Sequence, residues 1–173
     1  MVERCGALAL DGVEFVMVRE KQLEAGELTR LVRDVVRAVR SSGTKVLVSQ
    51  RVDVALAAGA DGVHLSGRAG ELLPEQVRRV MPGAVVSLSC HAVGEVRAAA
   101  ESEASLVLFA PVFGKVVNGA EVVAGVGLER LREACGAAGE MPVLALGGVT
   151  AGNTGACVGA GAAGVAGIRM FFG

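Results

Sequence analysis

Two joints in this chain are written almost alike. Ala58-Gly-Ala-Asp-Gly-Val63 and Ala160-Gly-Ala-Ala-Gly-Val165 each close a helical stretch and open an apolar run. A repeated helix-to-strand joint constrains the chain to recurring βα units. Short apolar runs at Val13 to Val18, Lys45 to Val48, Gly62 to Leu65, Val85 to Ser89, Leu106 to Ala110, Val143 to Leu146 and Gly164 to Ile168 read as strands. Between them, Val2 to Leu10, Glu24 to Arg40, Val52 to Ala58, Pro74 to Met81, Val93 to Ser102, Leu128 to Ala138 and Ala151 to Val158 read as helices. The clearest is the second, where Leu28, Leu31, Val32, Val35, Val36 and Val39 form one apolar stripe at helical spacing. The segment from Pro111 to Gly125, with Lys115 and Asn118, reads as a long loop.

Strands that are apolar on both faces and alternate with helices predict a parallel sheet covered by helices. The expected fold class is α/β, a (β/α)8 TIM-barrel type, as a single domain over residues 1–173. Seven strands are one short of that fold, and 173 residues fall below the roughly 200 or more usual for it. The barrel therefore reads as incomplete, lacking a first strand before Val2 and a last helix after Phe172, through biology or through a shortened start. Exposed edges beside a missing strand favour self-association, so a homo-oligomer is one possible partner state.

Composition narrows the function classes. Hydrophobic residues make up 52% of the chain, yet no run approaches the roughly 18 apolar residues of a membrane span. No signal-peptide pattern opens the sequence, which makes it read as cytoplasmic. With a net charge of -1 and neither Trp nor Tyr, no nucleic-acid surface is indicated. Cys5, Cys90, Cys135 and Cys157 lack zinc spacing; all but Cys90 read as small buried thiols, and Cys90, beside His91, has a nucleophile as its alternative reading.

The run Met141-Pro-Val-Leu-Ala-Leu-Gly-Gly-Val-Thr-Ala-Gly-Asn153 carries the first functional signal. An apolar strand ends in Gly147 and Gly148, and Thr150 is placed to cap a helix from Ala151. Such a turn leaves backbone N–H groups aimed at an open space that suits a phosphate. The alternative is a βα turn that needs positive φ and binds nothing. On a strand, Met17, Arg19 and Lys21 share one face, and two cations at a strand's end suit phosphate oxygens; the alternative is a solvated strand end. Histidine suits proton transfer near neutrality. His91 ends a predicted strand, whereas His64 falls mid-strand and reads as structural. Cys90 next to His91 lacks evident thiolate stabilisation.

Taken in order along the chain, these residues resemble the thiamine phosphate synthase/TenI superfamily of thiamin-biosynthesis barrels. The resemblance rests on Gly12 to Lys21, Arg51 to Leu65, Ser87 to His91, Ala110 to Phe113, Val126 to Leu128 and Leu146 to Val149. It implies a TIM barrel that takes small phosphorylated thiazole or pyrimidine ligands. The synthase joins a pyrimidine diphosphate to a thiazole phosphate and expels pyrophosphate with Mg²⁺; some TenI members isomerise a thiazole carboxylate phosphate.

Carried over by position, the family's Gln-x-Arg-Glu-Lys motif falls on Met17 to Lys21, so Arg19 and Lys21 remain while the glutamine is Met17. The Asn-Asp pair, whose aspartate binds Mg²⁺, falls on Ser49 and Gln50. For the second metal-binding aspartate the chain has Ser66 to Glu71, where Glu71 substitutes only if the loop folds back and Arg68 opposes a cation. The resemblance thus implies no metal site, with Mg²⁺ as a cofactor only in the synthase alternative. Ser89 and His91 match the family's Ser-x-His, making His91 the catalytic candidate. The Thr-Pro-Thr-Lys loop becomes Phe113 to Asn118, where Lys115 supplies one cation. The thiazole phosphate falls to Gly147, Gly148, the backbone at Ile168, and Arg169 in place of a serine. A retained phosphate half beside a depleted metal half points to a TenI-like isomerase working without metal. The alternatives are the synthase itself and a non-catalytic barrel that binds phosphorylated ligands.

Overall fold

The computed structural model describes residues 1–117 and 120–172. The chain divides into two compact units, residues 1–65 with 70–86 and residues 66–69 with 87–173. Parallel strands and helices alternate in both.

In the first unit, α1 (Val2–Leu10), β1 (Phe15–Val18), α2 (Ala25–Val39), β2 (Lys45–Ser49), α3 (Val52–Ala58), β3 (Gly62–Leu65) and α4 (Pro74–Val80) follow one another. β1 pairs with β2 and β2 with β3, both parallel, with Val18 opposite Val48 and Ser49 opposite His64. The helical stripe of α2 becomes a buried face of Leu28, Val32, Val35 and Val39. α1 packs on α2 closely enough that a Cβ at Gly6 would stand 3.5 Å from the Ala38 carbonyl oxygen. β3 is buried at all four positions, as expected of a strand covered on both faces. β1 is not: Val16 and Val18 are buried while Met17 is exposed, so only one of its faces is covered.

The second unit takes most of β4 (Val85–Cys90), then α5 (Val93–Ala100), β5 (Leu106–Phe109), β6 (Lys115–Val117), β7 (Ala120–Val123), α6 (Gly127–Ala138), β8 (Val143–Ala145), α7 (Thr154–Gly159), β9 (Gly164–Val165) and α8 (Arg169–Phe172). Parallel ladders join β4 to β5, β5 to β8 and β8 to β9. Three expectations need correction here. The segment read as a loop carries an antiparallel hairpin, β6 with β7. The last strand is only Gly164–Val165, shorter than the expected Gly164 to Ile168, and the single turn α8 follows it at Arg169–Phe172. α7 begins at Thr154 rather than Ala151, because residues 151–153 form a turn held by Asn153.

The repeated joint has one physical cause in both units. Gly59 and Gly161 take the left-handed conformation, with φ 73° and 102°. The next residue then reaches back five positions: Ala60 N–H donates to Ala55 O at 2.9 Å, and Ala162 N–H to Cys157 O at 3.1 Å. That is the Schellman closure of a helix, which glycine enters without a Cβ penalty. One residue later each chain joins the next ladder, Asp61 N–H to Val46 O and Ala163 N–H to Val143 O, both at 2.9 Å.

Candidate functional site

The first unit holds a cationic cup. A cavity of about 280 Å³ is lined by Arg19, Glu20, Lys21, Ser49, Gln50 and Arg51 together with apolar Val18, Leu23 and Leu28. It lies at the carboxyl ends of β1 and β2, where βα loops of this architecture present their side chains. Arg19 and Lys21 do come together here, but for a different reason from the one expected. β1 ends at Val18, so both cations stand on the following loop rather than on a shared strand face. Sequence reasoning missed Arg51, whose Nε and Nη2 donate to both carboxylate oxygens of Asp53 at 2.9 and 2.7 Å. That fork holds the Asp53 carboxyl below its ordinary range and raises Arg51, the hydrogen bond being the main cause in both.

Gln50 is the point where strain and chemistry meet. Its φ is 61°, in the left-handed region that non-glycine residues seldom enter. Its N–H donates to His64 O at 2.9 Å, and its Nε2 donates to Glu71 Oε2 at 2.9 Å. The loop therefore does fold back to bring Glu71 to Gln50. Gln50 also lines a second cavity of about 350 Å³ with Leu65, Gly70, Glu71 and Leu72. His64, on β3, is 7% exposed, and burial followed by the charge of Arg19 pushes it down to about 4. It is a neutral, packed residue at pH 7, as expected of a structural histidine.

In the second unit, the candidate acid/base and the glycine turn are tied to one segment. His91 follows β4 and is exposed. Its Nδ1 lies 2.7 Å from Ala110 O. A carbonyl only accepts, so Nδ1 carries the proton and Nε2 is the nitrogen left to exchange one. The His91 and Ala92 N–H groups both donate to Glu95 Oε2, at 2.6 and 3.3 Å, which caps α5 and fixes the backbone beneath the ring. Neighbouring Cys90 is buried, and desolvation, with the Glu95 charge second, pushes its thiol up to about 12. It is no nucleophile at neutral pH. Ser89 is half-buried on β4 opposite Leu108.

Two residues after Ala110, the same segment reaches the glycine turn. Val112 N–H donates to Leu146 O at 2.8 Å and Phe113 N–H to Gly147 O at 2.9 Å. Gly147 and Gly148 have φ 95° and 64°. A Cβ on Gly147 would lie 2.7 Å from Pro111 Cα, and one on Gly148 would lie 2.7 Å from Phe113 Cβ. Neither position admits a side chain. Asn153 then braces the turn, accepting from Thr150 N–H at 2.8 Å and donating to Gly148 O at 3.1 Å. Thr150 does not cap α7 as expected; Asn153 takes the N-cap position. Lys115 opens β6 directly beyond this segment, but its side chain and Asn118 lie outside the described residues. Ile168 and Arg169 are exposed, and Arg169 is the first residue of α8 rather than part of the last strand.

Parallel βα units with their polar groups gathered past the strand ends define an α/β protein of the TIM-barrel type. A solved structure of thiamine phosphate pyrophosphorylase from Pyrococcus furiosus superposes with a TM-score of 0.85, at 26% identity, over 97% of this chain and 79% of that one. The family described as thiamine monophosphate synthase, TMP-TENI, matches residues 1–171, and this chain belongs to it. It is 41% identical to a putative thiamine-phosphate synthase of Geobacter sulfurreducens over 93% of this chain and 74% of the relative. Against putative thiamine-phosphate synthase 2 of Aquifex aeolicus it is 36% identical, covering 92% and 83%. These relatives carry the synthase name, which moves the balance from the TenI-like reading toward the synthase alternative.

Proposed function

We propose that this chain is a thiamine-phosphate synthase, joining a pyrimidine diphosphate to a thiazole phosphate with release of pyrophosphate. The observation that carries the reading is the cup lined by Arg19, Lys21 and Arg51, which suits a diphosphate group. As the bond to the diphosphate breaks, negative charge grows on the departing oxygen. Fixed cations there lower the barrier because they need no reorganisation when the charge appears. The thiazole phosphate takes the second unit's groups: the Gly147–Gly148 turn, the backbone at Ile168, and Arg169, with Ser89 as a further polar contact. These groups would hold the thiazole phosphate in one orientation within that unit, and such positioning is a recognised source of rate.

Mg²⁺ is the metal this reaction type implies. The positions corresponding to the metal ligands hold a hydroxyl, an amide and one carboxylate already accepting from that amide. That donor set does not suit a cation that prefers carboxylates with water and phosphate oxygens.

One observation supports a second reading. His91, with Nδ1 protonated toward Ala110 O, is set to take and return a proton at Nε2. That geometry suits isomerisation of a thiazole carboxylate phosphate. Incubating the protein with the thiazole phosphate and the pyrimidine diphosphate, and separately with the thiazole carboxylate phosphate alone, distinguishes the two. Thiamin phosphate formation that falls on Arg19→Ala supports the synthase. Isomer exchange abolished by His91→Ala, without thiamin phosphate, replaces it with the isomerase. Saturable binding without turnover leaves a ligand-binding barrel.

A further inference from the structure

Arg51 stands at the N-cap of α3 and lines the cationic cup, and Asp53 lies two residues on, in the first turn of that helix. A guanidinium has two forked edges, one made by Nε with a terminal nitrogen and one made by the two terminal nitrogens. Asp53 takes the first edge whole, accepting from Nε at 2.9 Å and from Nη2 at 2.7 Å. Those bonds use the Nε proton and one Nη2 proton, which leaves both Nη1 protons and the other Nη2 proton. The remaining protons form the second edge, which matches two phosphate oxygens as well as it matches a carboxylate. A long side chain free in water gives up much rotamer freedom on binding, and one already held by its first edge has less to lose. The fork adds little to stability, because the two side chains are 37% and 64% exposed. Glu24, at the N-cap of α2, also acts on Arg51 through its charge. Among the described residues, however, only Asp53 hydrogen-bonds the guanidinium.

We propose that Asp53 is a positioning residue for diphosphate binding: it holds Arg51 by the Nε–Nη2 edge and so presents the Nη1–Nη2 edge to the oxygens of a diphosphate in the cup. The proposal rests on the diphosphate reading given above and adds to it a residue that acts only through Arg51. By charge alone, a carboxylate beside the cup repels a polyanion. Alignment of Arg51 and repulsion of the ligand therefore act in opposite directions, and the sign of a substitution at Asp53 tells which prevails.

Inorganic pyrophosphate is the probe, titrated into the intact chain by calorimetry at fixed ionic strength, once in EDTA and once in magnesium. Asp53→Asn keeps the shape of the side chain but sets an amide N–H against a guanidinium donor, so the fork breaks. It should weaken pyrophosphate binding by about tenfold, the scale of one charge-assisted hydrogen bond. Glu24→Gln removes a charge and no hydrogen bond to Arg51, so binding should stay level or tighten. In the Arg51→Lys background, Asp53→Asn should cause no further loss, since an ammonium has no fork to hold. Thermal midpoints should barely move in these variants, which separates aiming from folding. Pyrophosphate that binds Asp53→Asn as well as the unaltered chain, or better, overturns the proposal and leaves the diphosphate reading standing. A loss of equal size in the Arg51→Lys background overturns it too. An unaltered chain that binds no pyrophosphate in either condition overturns both. Weakened binding in Asp53→Asn alone upholds the proposal even where no thiamin phosphate forms, and the synthase reading then fails by itself.

Discussion

His64 ties the stability of the first unit to pH through a path that can be worked out in advance. In the unfolded chain a histidine titrates near 6.5. Folded, on β3 at 7% exposure, it is pushed down to about 4, first by burial and then by the Arg19 charge. Between these two values the unfolded chain binds a proton that the native chain refuses. Stability is thus fully present above about pH 6.5 and is lost as pH falls toward 4. A gap of about 2.5 pH units corresponds to about 3 kcal/mol at most. Urea denaturation at intervals from pH 7.5 to pH 4 (about one pH step apart) measures it, with His64→Gln as the reference chain. Glutamine does not titrate, and carboxylates such as Asp53 contribute equally to both chains. The unaltered protein should therefore lose about 3 kcal/mol more than the variant across that range. Arg19→Met removes the second cause, so it should raise the histidine's titration point and shrink the difference. Parallel pH curves for the two chains, or a His64 ring resonance titrating near 6.5, would refute the reasoning.

Other outcomes follow from single contacts. Gly62→Ala would set a Cβ 1.9 Å from the Val85 carbonyl oxygen and should cost about 3 kcal/mol or more, read from the urea midpoint. Gly59→Ala meets open space and suffers only its φ of 73°, so about 1 kcal/mol is expected from the same measurement. Asn153→Ala removes both bonds that brace the glycine turn and should cost about 1 to 2 kcal/mol; phosphate-analogue binding to that turn should weaken with it. In timed thiol labelling near neutral pH, buried Cys90 should react more slowly than half-buried Cys135, and the reverse order would show that the thiol is not held protonated.

Much of this architecture was readable because punctuation and period agree. α1, α3 and β3 begin and end where predicted, each bounded by glycine, proline or a change of period. The left-handed glycines of the two joints are visible as wording, and the structure gives them the same bonds. The hairpin β6–β7 was missed although its signal was present. In the sequence, Asn118-Gly119 lies between the apolar pairs Val116-Val117 and Val122-Val123, a wording that favours a hairpin. The start of α7 was misplaced for another reason. Both Thr150 and Asn153 are good capping residues, and only the Gly148 carbonyl, brought near by the turn, decides for Asn153.

The site was legible as residue types and much less so as geometry, because backbone atoms supply most of the geometry. Nothing in the wording of Ala110 indicates a hydrogen-bond acceptor, yet its carbonyl sets which nitrogen of His91 is protonated. Nothing in Gly147-Gly148 distinguishes a turn shaped for an anion from one shaped for packing. The structure supplies a packing cause strong enough to require both glycines on its own, since Pro111 and Phe113 occupy the space of either Cβ. Packing alone therefore accounts for both glycines. The packing does have a functional consequence. The Ala110–Gly114 segment holds the His91 ring at one end and the glycine turn at the other through backbone bonds of 2.7 to 2.9 Å. A ligand that displaced the turn would therefore move the partner of the His91 ring as well. Within this unit, a substitution such as Val112→Gly should disturb the proposed proton transfer at His91 and the proposed phosphate anchoring together, read as a shifted His91 ring resonance and weaker phosphate-analogue binding in the same variant; a change in only one of the two would refute the coupling.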